Sequence, residues 1–306
     1  MSMKLCGAPC SWGVSELDNP HLPTWEKVLS EASQAGYAGI ELGPYGFLPL
    51  DISVLKPELE AANVSVIAGT IFDDLVSADN FPKLQKQVDD ICALISQLPQ
   101  PKMEGKEAHR SPYLVIIDFG HDERDFAAGH PDKAPRLSKE DWDRMILHIK
   151  SLAEQAKTYG VRPVIHPHAG GYIEFADEIA DIVRDIDYET AGLCLDTGHL
   201  HYSRMDPVEM LRKYRDRLDY IHFKDIKAEV HDRVLKEHIR FFIACDEGVM
   251  CPIGEGVIEY EKIRDFLQES GYSGFITIEQ ERDPRELEGT LDDVRKSLEY
   301  LRSVGY

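Results

Sequence analysis

The stretch Gly192-Leu-Cys-Leu-Asp-Thr-Gly-His-Leu-His201 decides how the rest of the chain is read. Ala191–Leu195 is short and apolar, the pattern of a buried strand. Where that strand runs out, an acid, a glycine and two histidines follow. A strand delivering Asp196, His199 and His201 to its carboxyl end is what a metal or acid–base site needs from a scaffold. Taken alone the segment supports two readings, because an Asp also caps a following turn and a His also sits in surface loops. The decision rests on whether other strands bring matching groups to the same end.

Outward from this stretch the chain keeps one rhythm, a short apolar run followed by a longer amphipathic one. Strands are expected at Leu5–Ala8, Ala38–Leu42, Val64–Gly69, Tyr113–Asp118, Val161–Ile165, Leu218–Phe223 and Phe275–Ile278, besides Ala191–Leu195. Helices are expected at Thr24–Gly36, Val54–Ala62, Phe81–Leu98, Phe175–Asp187, from Asp206-Pro207 onward, at Tyr260–Gly271 and at Thr290–Val304. Ser138-Lys-Glu-Asp141 has the form of a capping box and opens a further helix to Tyr159. In the sixth helix Asp206 supplies the cap and Pro207 the first turn. Residues 99–112, polar and proline-rich, read as a surface insertion, and 227–256 as a long excursion after the seventh strand.

Alternating strands and helices imply a parallel sheet, and eight such units in more than ~250 residues imply one closed (β/α)8 barrel spanning residues 1–306. An open doubly wound sheet is the competitor. It would usually carry a Gly-x-Gly-x-x-Gly turn after an early strand, and the sequence has none there.

In a parallel barrel every strand points the same way, so all strand ends meet at one face. That face collects Trp12, Glu41, Thr70, Asp118, His166, His168, Asp196, His199, His222, Lys224, Glu279 and Glu281. Side chains alternate with period 2, so His166/His168, His222/Lys224 and Glu279/Glu281 can each point inward while Phe223 and Ile278 face the helices. Each residue has a plainer reading. His222 could be a hydrogen-bonded core histidine, the three glutamates could cap helices, Lys224 could pair with Asp225, and Trp12 could be packing. Those readings must all hold together, and burying so many titratable groups without partners is costly. A divalent cation resolves the difficulty, because carboxylate and neutral imidazole are both ligands. The donor types favour Mn and admit Co, Mg or Zn. No thiolate is expected at the site.

Composition narrows the function. With 34 basic and 55 acidic side chains the net charge is −21, which repels phosphate backbones and anionic membranes. No window approaches about 18 consecutive apolar residues, and the amino terminus lacks a secretory pattern, so a cytoplasmic protein is expected. Cys6, Cys10, Cys92, Cys194, Cys245 and Cys251 contain no Cys-x-x-Cys pair and read as free thiols.

The segments Ala8-Pro-Cys-Ser-Trp-Gly-Val14, Glu41-Leu-Gly-Pro-Tyr-Gly46, Ala68-Gly-Thr70, His166-Pro-His-Ala-Gly170, Leu195-Asp-Thr-Gly-His199, His222-Phe-Lys-Asp225 and Ile278-Glu-Gln-Glu-Arg-Asp-Pro284 run the length of the chain. With them the sequence resembles the xylose-isomerase-like barrels, and within these the inosose dehydratases. Asp-Thr-Gly-His is shared across the superfamily, whereas Glu-Leu-Gly-Pro-Tyr-Gly, His-Pro-His and Glu-x-Glu-x-Asp-Pro are narrower. The resemblance implies one divalent ion held by two Glu, one Asp and one His, which map to Glu174, Asp196, His222 and Glu279. Many relatives carry the fifth-strand Glu where this chain has Val164; Glu174 is assigned instead from the His-Pro-His form.

The resemblance further implies a polyol ketone such as 2-keto-myo-inositol as small-molecule substrate. Proton removal beside the carbonyl would give an enediolate, and loss of a β-hydroxyl would complete dehydration. His166, His168, His199 and Lys224 are assigned to proton transfer, with a desolvated Lys224 brought toward neutral pKa. Trp12, Glu41, Thr70, Asp118 and Glu281 are assigned to substrate contacts. The same intermediate could collapse to isomerase or epimerase products, or expel the aglycone of a 3-oxo-glycoside. An abasic-site nuclease and a non-catalytic binding protein are the readings from other classes; the net charge opposes the first and the full ligand set the second. Relatives often oligomerise, and nothing in the sequence identifies an interface.

Overall fold

A computed structural model describes residues 3–101 and 111–306. Most of the insertion at 99–112 lies outside the described residues. The strands are β1 (Lys4–Gly7), β2 (Gly39–Glu41), β3 (Ser65–Asp73), β4 (Tyr113–Asp118), β5 (Arg162–Ile165), β6 (Gly192–Asp196) and β7 (Leu218–Phe223), then β8 (Asp225–Ile226), β9 (Met250–Cys251) and β10 (Phe275–Ile278). Eight of them close a parallel barrel in the order β1-β10-β7-β6-β5-β4-β3-β2. The chain is a (β/α)8 barrel.

Two layers hold it. Residues of opposite parity on the same strands, such as Leu193, Leu195, Phe223 and Ile278, pack outward into the core shared with the helices. Inward-facing residues fill the barrel itself. Its floor is aromatic, with Tyr113 stacked on Tyr220 at 4.8 Å and edge-on to Phe275 at 6.2 Å. Strands covered on both faces are buried at every position, as in β6 and β7. Ser138 caps the helix Lys139–Thr158 by accepting from the Asp141 amide at 3.1 Å, and Asp206 caps Pro207–Lys213.

Two elements add what the sequence left open. The opening stretch turns directly from strand into a short helix, Thr197–Tyr202. Asp196 caps it, accepting from the Gly198 and His199 amides at 2.7 and 3.0 Å. Only glycine fits at 198, because a Cβ there would lie 2.5 Å from that of Lys224. The excursion after β7 is also ordered into structure: β8 pairs antiparallel with β9, enclosing helices Ala228–Glu237 and Phe241–Asp246. Asp225 secures its return by accepting from the amides of Ile226, Gly254, Gly256 and Ile258 at 2.9–3.1 Å. Among the described residues no helix is long and apolar enough to cross a membrane, and all six cysteines are free.

Candidate metal centre

Above the aromatic floor the interior becomes polar. Glu41 Oε1 accepts from the Tyr220 hydroxyl at 2.6 Å and faces His222 Nε2 at 2.8 Å, while Thr70 donates to its other oxygen at 3.4 Å. His222 Nδ1 lies 3.2 Å from Glu279 Oε2 and 3.9 Å from Asp196 Oδ2. His166 Nε2 approaches the same Asp196 oxygen at 3.6 Å. Ligand atoms of Glu41, His222 and Glu279 fall within 4.8 Å of one another, and so do those of His166, Asp196 and His199. These groups lie on β2, β6 and β7, directly after β5 and β10, and on the short helix Thr197–Tyr202, and all are at least nine-tenths buried.

Both ring nitrogens of His166 and of His222 lack a hydrogen-bond partner, since the short approaches to carboxylates are not aligned as hydrogen bonds. Burial without a partner normally costs a polar group about 1–3 kcal/mol. Lys224 adds the complementary observation. Its ammonium lies 2.8 Å from Asp196 Oδ2 and 3.3 Å from Glu281 Oε1, and it donates to Glu279 as well. The carboxylates at this point therefore already gather around a positive charge. The neutral, unpartnered imidazole of His166 and that of His222, which gives up its proton on binding a cation, lie beside converging carboxylates and form a donor set that fits a divalent cation. Asp196 Oδ2, His222 Nδ1, Glu279 Oε2 and His166 Nε2 are the atoms that could hold it.

The electrostatics follow from position. Burial would raise the Asp196 and Glu279 carboxyls, but Lys224, His222 and (for Asp196) His166 overcome it and hold both well below the usual range. Burial would lower His222, yet the Glu279 and Glu41 carboxylates beside it raise it well above its ordinary value. His166, His168 and His199 are lowered, chiefly by burial, and are neutral. Burial also raises Glu281, helped by the charges of Glu279 and Asp196 and opposed by Lys224.

Neutral histidines have definite tautomers here. His168 Nδ1 faces the Ala169 carbonyl at 2.8 Å and must donate, leaving Nε2 as an acceptor. His199 Nδ1 accepts the Ala169 amide at 3.2 Å, so its proton is on Nε2, which has no protein partner. The two rings lie 3.9 Å apart. Phe241, on the excursion, closes over them at 5.2 and 5.1 Å. Arg240 fastens that helix by pairing with Asp122 and Asp125 at 2.8 and 3.0 Å.

Four assignments made from sequence are corrected. Glu174 is not at the centre: Oε1 accepts from the Gly129 amide at 2.7 Å and the Ser203 hydroxyl at 2.8 Å, while Oε2 accepts from the Gly170 amide at 2.9 Å and faces Arg124 at 3.5 Å. Its lone pairs are committed, and on β5 it is His166 that reaches the cluster. Trp12 ends a 3-10 turn, Pro9–Trp12, that carries its ring into the barrel–helix core, where it is fully buried and donates to Glu31 at 2.7 Å. Asp118 braces loops, accepting from the amides of Leu75 and Tyr172 at 3.1 and 2.7 Å and facing His121 at 3.0 Å. Lys224 is not brought toward neutrality, because Asp196, Glu279 and Glu281 outweigh burial and raise its pKa.

Two thiols escaped the sequence reading. Cys194 Sγ lies within 4.8 Å of ligand atoms of His166 and His222, and Cys10 Sγ within 4.8 Å of Glu279 and Glu281. Cys194 was legible in principle, being two residues before Asp196 and so on the same face of β6. Burial pushes it up to about 11, so it is a protonated thiol.

The closed parallel barrel with acids and histidines at its carboxyl face defines the class of protein. Residues 29–304 match the family described as xylose isomerase-like TIM barrel, and the chain belongs to that family. It is 29% identical over 292 residues to an inosose dehydratase of Lacticaseibacillus casei, covering 93% of this chain and 91% of that one. Its fold is similar to the probable 3-DHS dehydratase AsbF of Bacillus anthracis (TM-score 0.70, 15% identity, 98% of this chain and 99% of that one). It is also similar to the IOLI protein, whose structure holds a zinc atom (TM-score 0.68, 16% identity, 99% of each chain).

Proposed function

We propose that this enzyme is a divalent-metal-dependent carbon–oxygen lyase that removes water from a polyol ketone such as 2-keto-myo-inositol. The observation that carries this is the set of buried, unpartnered imidazole nitrogens of His166 and His222 facing the Asp196 and Glu279 carboxylates. The likeness to inosose dehydratases over nearly the whole chain supports the substrate class.

Asp196, His222, Glu279 and His166 would hold the ion, whose Lewis acidity toward a ketone oxygen would acidify the adjacent C–H. Manganese, cobalt, magnesium and zinc all suit these donors. His168 is the base, because its Nδ1 proton is fixed on Ala169 and its neutral Nε2 is the acceptor. His199 offers the opposite face of the same chemistry, a neutral Nε2–H that donates to a substrate oxygen. Glu281 is the acid for the departing hydroxyl, since burial and the neighbouring Glu279 and Asp196 charges raise it from the ordinary carboxylate range against Lys224, and Oε2 has no partner. Lys224 stays charged and balances negative charge developing on oxygen. Glu41, held by Tyr220 and Thr70, orients His222 and is the residue that β2 offers to a substrate hydroxyl.

Incubating metal-loaded enzyme with 2-keto-myo-inositol tests the reading. Dehydration yields a conjugated dione absorbing in the near ultraviolet. An epimeric inosose, or one with its carbonyl moved to the neighbouring ring carbon, without that chromophore would show that the intermediate is reprotonated instead, and the enzyme would then be an isomerase or epimerase.

A further inference from the structure

The centre is closed off from solvent. Asp196, His199 and His222 are 1–2% exposed and His168 6%. At that exposure a six-carbon ring reaches them only after something that covers them has moved. Phe241 covers the proton-transfer side. It is fully buried, with its ring 5.2 and 5.1 Å from those of His168 and His199. It belongs to the excursion after β7 and not to the barrel.

The excursion is built as a body of its own. Val234, Phe241, Ala244, Cys245 and Met250 form an apolar core distinct from the barrel–helix core, and it meets Ala128, Ala169 and Tyr202 beneath it. Its root is firm, because β8 pairs with β9 and Asp225 takes four amides there. Its far edge is held differently, by polar contacts to the segment that follows β4. Arg240 pairs with Asp122 and Asp125, Asp125 also accepts from the Phe241 amide at 3.1 Å, and Lys133 donates to His238 at 2.9 Å. Ion pairs in contact with water hold weakly. A firm root and a weakly held edge are the anatomy of a hinged segment.

We infer that residues 228–246 are a lid that swings about the β8–β9 pairing and lifts Phe241 from His168 and His199 to admit substrate. The clasp between Arg240 and Asp125 holds it shut while protons move, which keeps water from the two imidazoles. The inference rests on where the centre lies and not on which products form there.

Labelling native, metal-loaded protein with N-ethylmaleimide, read peptide by peptide, tests this, because Cys245 sits in the lid core and Cys92 in the barrel–helix core. Cys245 should react about tenfold faster than Cys92 or more, since lifting the lid takes less free energy than unfolding the barrel. Arg240→Gln should speed Cys245 about fivefold, the scale of one partly exposed ion pair, and leave Cys92 unchanged. Asp125→Asn, which also weakens the bond from the Phe241 amide, should act in the same direction. Hydrogen exchange separates a lid from a fraying helix. The Phe241 amide, bonded across the clasp, should exchange faster in both variants. The Val249 amide, bonded to Ala244 inside the lid at 3.0 Å, should keep its wild-type rate. Cys245 labelled no faster than Cys92, rates untouched by both variants, or the two amides accelerating together overturns the inference. Dehydration of 2-keto-myo-inositol is read separately, so its absence refutes the reaction proposed above and not the lid.

Discussion

Two buried polar regions lie side by side at the carboxyl face of this barrel, and they are built on opposite principles. Around Glu174 and Glu178 every carboxylate oxygen is taken: amides of Gly129, Gly170 and Phe175, the Ser203 hydroxyl, Arg124 and Arg136 occupy them. Around Asp196, His222 and Glu279 the imidazole nitrogens are empty-handed and the carboxylates crowd one ammonium. Both regions hold buried acids on the carboxyl side of the strands, and residue type does not tell them apart. Saturation does. A satisfied network fixes loops, whereas an unsatisfied one is held by the surrounding fold against its own cost and is available to a ligand.

The contrast predicts opposite consequences for similar substitutions. Asp196→Asn should lower kcat/KM by about a thousandfold or more and abolish ion binding, and it should also lower the thermal stability of the metal-free protein, where the carboxylate pairs with buried Lys224. Steady-state kinetics and differential scanning of chelated protein check both halves. Lys224→Met should retain the ion, measured by elemental analysis, and lose on the order of a hundredfold in kcat. If the ion is lost with Lys224, the lysine belongs to the ligand framework and the contrast is drawn in the wrong place.

In the saturated region the effect is on folding. Burial raises Glu174 from 4.5 to about 7, against Arg124 and the amides. The folded state thus holds this proton more tightly than the unfolded chain. That stability is fully present below pH 4.5 and disappears as pH rises through about 7, amounting to roughly 3 kcal/mol. Urea unfolding at pH 5 and pH 8 should show this loss in the wild type and a smaller one in Glu174→Gln, with activity per folded molecule retained. The smallest effect is expected at Trp12. Trp12→Phe forfeits the hydrogen bond to Glu31, about 1 kcal/mol of stability, and leaves kcat/KM unchanged.

The barrel was legible because eight strand–helix units leave few alternatives, and Asp196, His222 and Glu279 because strand parity dictates where they point. What failed lay just beyond the strands. Glu174 follows β5 by several residues, and the turn at Gly170 and Gly171 sends its carboxylate to Gly129 and not to the barrel axis. Trp12 is displaced by a 3-10 turn that alternation cannot anticipate. Asp118 ends β4 as expected but is consumed by amides of two loops whose paths no local pattern reveals. His166 was picked out, though for proton transfer, because its role depends on how near its ring comes to Asp196 across two strands.

The measurement that bears most directly on the centre is metal content per chain in three proteins purified alike: wild type, Glu174→Gln and His166→Ala. About one divalent ion is expected in the wild type and in Glu174→Gln, and a clearly lower content in His166→Ala. An ion retained by His166→Ala and missing from Glu174→Gln would contradict the assignment of the centre.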